Sequence, residues 1–201
     1  MSGFSEMFSF RRIERDDERS VPQVMPPWHG PSEDELGTYV PLSIVIARSD
    51  RAAVALAGAV AYSTGVVLHL AAAARGLRDR DSNRFFHEQH MIDPEEPLAP
   101  AFLRFGLELT DGTRVSNLEG HHRRFSQDEP DAAVLVHHGG GGGSSGGGRL
   151  TMRPAYWLWP LPPEGAVQVF VEWPALDIEL TRTELDAAPI LAAAQPVRLW
   201  P

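Results

Sequence analysis

Two residue types are missing from this 201-residue chain: it has no cysteine and no lysine, so all eighteen cationic side chains are arginine. Without cysteine there are no disulfides, thiolate zinc sites, iron–sulfur ligands or thiol nucleophiles. Such a composition suits a reducing compartment, and a cytoplasmic location is the expectation. Without lysine there is no Schiff base, no Ser-Lys dyad and no phosphate loop of the Gly-Lys-Ser/Thr type. Positive charge is also scarce overall, since the formal net charge is −9. Nonspecific nucleic-acid binding needs a cationic surface to displace counterions, so nucleic acid is not an expected partner.

Long apolar runs are scarce as well. The opening MSGFSEMFSFRRIERDDERS has no apolar stretch of signal-peptide length. The 23 residues between Arg51 and Arg75 carry no formal charge and are long enough to cross a bilayer. They are, however, dominated by alanine and interrupted by Tyr62-Ser63-Thr64-Gly65 and His69. Alternation fits better: Val54, Leu56, Val60 and Tyr62 share one parity, and Val66, Leu68 and Leu70 continue it. Two strands bent around Ser63–Gly65 are expected, and no transmembrane span.

What is present reads as β-structure. Val40, Leu42, Ile44 and Ile46 alternate, as do Val167, Val169, Val171 and Trp173, and further strand patterns lie in AAVLVHH, RLTMRPAYWLWPL and LDIELTR. Asp111-Gly112 marks a hairpin. A three-residue loop ending at Thr113 would set Val115 opposite Leu109. Only DAAPILAAAQP reads as a helix, with Asp186 as its cap, Pro189 in its first turn and Pro196 as its stop. The expected fold is all-β, an antiparallel β-sandwich over residues 37–201 with one short C-terminal helix. Residues 1–36 are rich in proline and alternating charge, and read as a flexible or loosely docked arm whose best anchor is Trp28.

The succession PPWHGP (26–31), AYSTG (61–65), YWLWPLPPEG (156–165), VEWPAL (171–176), TRTELDAAPI (181–190) and LWP (199–201) resembles an uncharacterised family of soluble proteins from GC-rich Gram-positive bacteria. The resemblance implies a native bacterial protein. It carries no assigned activity, cofactor or partner, and so no catalytic residue.

Candidate chemistry is thin. The run 139–148 holds only glycine and serine, but it precedes a strand pattern and contains no lysine, which excludes a P-loop or a dinucleotide fingerprint. A slack glycine-rich loop between two strands of one core is expected. His87-x-x-His90, with Glu88 and Asp93 nearby, is the only compact N/O cluster, and His121-His122 and His137-His138 are adjacent pairs. No full set of three or four ligands emerges, so no metal or other cofactor is assigned. Glu172, Asp177 and Glu179 flank the last strands near Arg182 without a pattern that implies burial, and no G-x-S-x-G elbow occurs.

The aromatic residues remain. Trp28, Tyr156, Trp157, Trp159 and Trp173 are the candidate binding residues, because tryptophan and tyrosine dominate interface hot spots, although core packing explains them as well. The expectation is a non-catalytic interaction or binding module, engaging another protein or a second copy of itself. The rival is a small sandwich or barrel enzyme, metal-dependent, in which His87, His90 or His121 meets carboxylates.

Overall fold

A computed structural model describes residues 25–78, 85, 88–89, 96–118, 128–140 and 143–200. The chain is an all-β sandwich of antiparallel strands. One sheet runs β2 (Thr38–Arg48), β3 (Ala52–Ala61), β4 (Val66–Arg75), β10 (Pro154–Trp159) and β7 (Val134–Gly140). Two further strands extend it, β9 (Arg149–Met152) pairing β4, and β8 (Ser144–Gly146) pairing β9. The second sheet is ordered β12 (Ile178–Asp186), β11 (Ala166–Trp173), β5 (Arg104–Glu108), β6 (Arg114–Ser116). A separate two-stranded ribbon joins β1 (Glu35–Leu36) to β13 (Val197–Arg198).

Alternation places the core. Val40 and Ile46 of β2, Val54 and Leu56 of β3, and Leu68 and Leu70 of β4 face Phe105, Leu107, Val169, Val171 and Trp173 of the second sheet. Burying such side chains stabilises by about 1.5–3 kcal/mol each. The expected single parity through β3 fails at Ala57. The β3–β4 register shifts between Leu56 and Gly58, so Ala59 and Ala61 face the core while Val60 and Tyr62 face outward. A bulge inserts one unpaired residue and reverses the alternation beyond it, which periodicity cannot anticipate.

The hairpin at Asp111-Gly112 has a three-residue loop, but one position earlier than expected. Leu109 N–H donates to Thr113 O at 2.8 Å, and Val115 stands opposite Leu107, not Leu109. Gly112, with φ of 85°, takes the left-handed third loop position that such loops favour. The helix α1 (Ala188–Ala193) forms with Pro189 in its first turn, but its N-cap is Ala187, not Asp186; Asp186 Oδ1 still accepts from Ala188 N–H at 2.9 Å.

The described part of the glycine run is not a slack loop. Gly139 and Gly140 still belong to β7, and Ser144–Gly146 pair with Arg149–Thr151. Gly147 and Gly148, with φ of 57° and 72°, make a two-residue turn that needs left-handed backbone at both positions. Ladder hydrogen bonds use only backbone groups, so glycine and serine pair once β9 is fixed against β4. Gly148 O also accepts from Leu77 N–H at 3.1 Å, tying the turn to the chain after β4.

Within the segment expected as an arm, residues 26–36 are docked on the sandwich. His29 N–H donates to Pro26 O in a turn, β1 pairs β13, and Glu35 accepts from the Ser63 backbone and hydroxyl. Residues 1–24 lie outside the described residues. Among the described residues no helix is long and apolar enough to cross a membrane.

Candidate functional site

The outer face of the seven-stranded sheet holds a second, smaller core. Val67, Ala155 and Trp157 are buried there, with Val60, Tyr62 and Trp159 packed around them. Residues 26–30 lie over this face as a strap. Trp157 Nε1–H donates to Pro27 O at 2.9 Å, Trp28 meets Trp159 edge-on at 5.9 Å, and Tyr62 meets Trp157 edge-on at 5.8 Å. Edge-to-face geometry sets the positive ring edge against the negative face, worth about 0.5–1.5 kcal/mol per pair beyond burial.

The five candidate aromatics therefore do not form one surface. Trp173 is enclosed in the main core, donating Nε1–H to Ala101 O at 2.8 Å and meeting Phe85 edge-on. Tyr156 is buried in the same core, stacked on Phe105. Burial pushes its hydroxyl pKa up to about 12, against the opposing hydrogen bond from Asn117. Trp157 is buried beneath the strap. These three are packing residues, as large apolar side chains facing a filled space must be. Trp28 and Trp159 are half-buried and retain accessible edges.

The histidines separate too. His137 and His138 point to opposite faces, His137 meeting Tyr156 and His138 lying against Trp157 on the outer face. His87, His90, His121 and His122 lie outside the described residues. Among the described residues no three His, Asp or Glu side chains converge as metal ligands. Glu172 pairs with Arg104, Asp177 lies 3.7 Å from Arg51, and Glu179 joins neither pair. The carboxylates do not converge.

His138 gives the outer face a pH dependence. Burial, and then the neighbouring His69, holds its imidazole below the ordinary value of 6.5. The unfolded chain therefore takes up that proton more readily than the folded one. Stability from the neutral ring is complete above pH 6.5 and is lost as pH falls through the lower folded value. Acidification towards pH 5 is expected to weaken the fold, and His138→Gln to flatten that dependence. Urea titrations of both proteins across this range check it, and an unchanged pH slope in the variant would remove His138 as the cause.

Sequence reasoning missed the surface that the fold leaves open. At the strap's end of the sandwich, Leu36 and Val197 stand directly opposite each other on the ribbon, 59% and 63% exposed. Leu199, whose N–H donates to Asp34 O, and Trp200 follow at 45% and 66%, and Tyr39 at the start of β2 is 60% exposed. A two-residue strand is too short to show periodicity, so only the LWP motif marked this region. Comparisons of the chain with protein-family models, with curated proteins and with solved structures find no match.

Proposed function

We propose that the chain is a non-catalytic interaction module that docks a protein partner on the β1–β13 ribbon. One observation carries this reading: Leu36 and Val197 are paired across the ribbon with both side chains in water, and Leu199 and Trp200 extend the apolar surface. Isolated exposed apolar residues need no explanation, but a contiguous group of them marks an interaction surface. An exposed tryptophan at its margin supplies the usual anchor of such an interface. Trp28 and Trp159 add accessible aromatic edges at the same end of the sandwich. The net charge of −9 favours a partner other than nucleic acid, and the cysteine-free composition fits a cytoplasmic setting.

The test is the double substitution Leu36→Ser/Val197→Ser. Two exposed sites away from the core should change unfolding stability by no more than about 0.5 kcal/mol each. Association of the purified protein with itself, by sedimentation across concentration, or with a partner retained from its native source, should fall at least tenfold. Undiminished association would refute the docking surface. Stoichiometric metal in the purified native protein would instead favour the enzyme reading built on His87, His90 and His121.

A further inference from the structure

The opposite end of the same sheet face carries a different chemistry. Across the strands run Arg48, Ala53, Ala73, Thr151 and Ser144, each paired in register with the next, so all five project from one face. Ala53 and Ala73 give this row a low, apolar floor. In the next row towards the sheet's end, Arg75 stands directly opposite Arg149. Arg51, in the β2–β3 turn, accepts the Arg75 backbone N–H through its carbonyl. The result is an open groove of about 330 Å³ with Arg48, Arg51, Arg75 and Arg149 around it.

Four cations in one groove of a chain with net charge −9 are not a consequence of average composition. Residues directly opposite on antiparallel strands have Cβ atoms about 5 Å apart, and like charges there repel. Against these four cations the lining sets one carboxylate, Asp50, and a second, Asp177, stands beside Arg51. Arg75 donates Nε–H to the Asp50 carbonyl, a neutral acceptor, and Arg51 lies 3.7 Å from Asp177, with side chains 44% and 72% exposed. Arg48 and Arg149 make no ion pair with any described residue. The Ser49 hydroxyl on the rim is consumed, donating to Leu176 O and accepting from Arg51 and Ala52 N–H. The Thr151 and Ser144 hydroxyls share one bond of 3.0 Å, which leaves lone pairs and one proton to offer.

We propose that this groove is a binding site for a phosphate-bearing ligand. Guanidinium groups arriving from several directions, with one hydroxyl proton beside them, suit a tetrahedral oxyanion with three or more acceptor oxygens better than a two-oxygen carboxylate. The volume exceeds that of a bare phosphate, so the ligand carries an organic remainder that lies on the Ala53–Ala73 floor. The bound anion removes the Arg75–Arg149 repulsion, so occupancy and stability rise together. The site lies on the turns opposite the ribbon, and does not depend on what the ribbon binds.

Pyrophosphate is the probe for the isolated chemistry, and vesicles containing phosphatidic acid test whether the phosphate belongs to a lipid. At low ionic strength, calorimetry should show saturable pyrophosphate binding to the wild-type protein. Arg149→Gln and Arg75→Gln should each weaken it at least tenfold, whereas Arg114→Gln, on the second sheet beside Glu108, should not. In phosphate-free buffer Arg149→Gln should unfold at the same or a higher temperature than wild type, because it removes repulsion. A purely structural arginine would give a lower one. Vesicle binding that is lost in the same variants would assign a lipid headgroup, and pyrophosphate binding alone a soluble phosphate ester. Absence of saturable binding to either probe, or binding unchanged in Arg149→Gln and Arg75→Gln, would overturn the site.

Discussion

Truncating Trp157 to alanine is expected to destabilise the protein by about 3–5 kcal/mol, the range for removing a fully buried tryptophan. The side chain is 0% exposed and sits between the sheet and the strap. Its loss removes the hydrogen bond to Pro27 O and the edge contact with Tyr62. It also empties the space beside Gly65, where even an added Cβ would lie 2.6 Å from the indole ring. Because the strap's seat is largely this indole, the variant should expose residues 26–30 to solvent while the main core stays folded. Urea unfolding gives the energy, and hydrogen exchange localises it. Trp157→Phe separates the contributions: the ring contacts are partly restored, the hydrogen bond is not, and about 1–2 kcal/mol of the loss should persist. Uniform loss of protection across both sheets, with none specific to the strap, would show that the outer core is not a separate unit.

Replacing Asn117 by alanine is expected to cost about 2–4 kcal/mol, because it leaves several buried groups without partners at once. Asn117 is the one buried polar side chain among the described residues. Its Oδ1 accepts from Phe105 N–H at 3.0 Å, and its Nδ2 donates to Leu103 O at 2.9 Å and to the Tyr156 hydroxyl at 3.2 Å. Leu103 and Phe105 belong to the second sheet and its approach, Tyr156 to the first, so this amide joins the two layers. Asn117→Asp is the more discriminating change. A carboxylate would face the Leu103 carbonyl acceptor to acceptor, and burial would raise its pKa. The variant should therefore be weakest at neutral pH and recover part of its stability as acid protonates the carboxyl into a donor. Chemical unfolding at pH 7 and pH 5 checks this, and an aspartate variant that does not gain on the wild type with acidification would refute the geometry.

The sequence conveyed the sandwich because alternation survives in most strands: Val167, Val169, Val171 and Trp173 face the core together as their spacing implies. It misled where backbone geometry, and not side-chain pattern, decides. The bulge at Ala57 turned Val60 and Tyr62 outward, and the ladder on β9 drew Ser144–Gly146 into a strand that no propensity favours. The proposed binding surfaces were hidden for a related reason. Tryptophan marks interfaces and cores alike, so the five candidate aromatics divided into three enclosed residues and two at an edge. Leu36 opposite Val197, and Arg75 opposite Arg149, are juxtapositions between segments far apart in the chain. Only the register creates them.

The two rims of the large sheet bear on edge-to-edge polymerisation. An open strand offers unpaired backbone groups to any passing chain, and lysine is the customary deterrent on such strands. This chain has none. Its β2 rim instead carries Pro41, which lacks an N–H, and register shifts at Pro41/Ile44 and Val45/Ala47 that break the flat template. The β7–β8 rim runs out into glycine and serine, which give an incoming strand no apolar side chains to interlock with. The glycine tract read as slack thus leaves the β8 edge without apolar side chains for amyloid-like stacking, in a chain that has no lysine to place there.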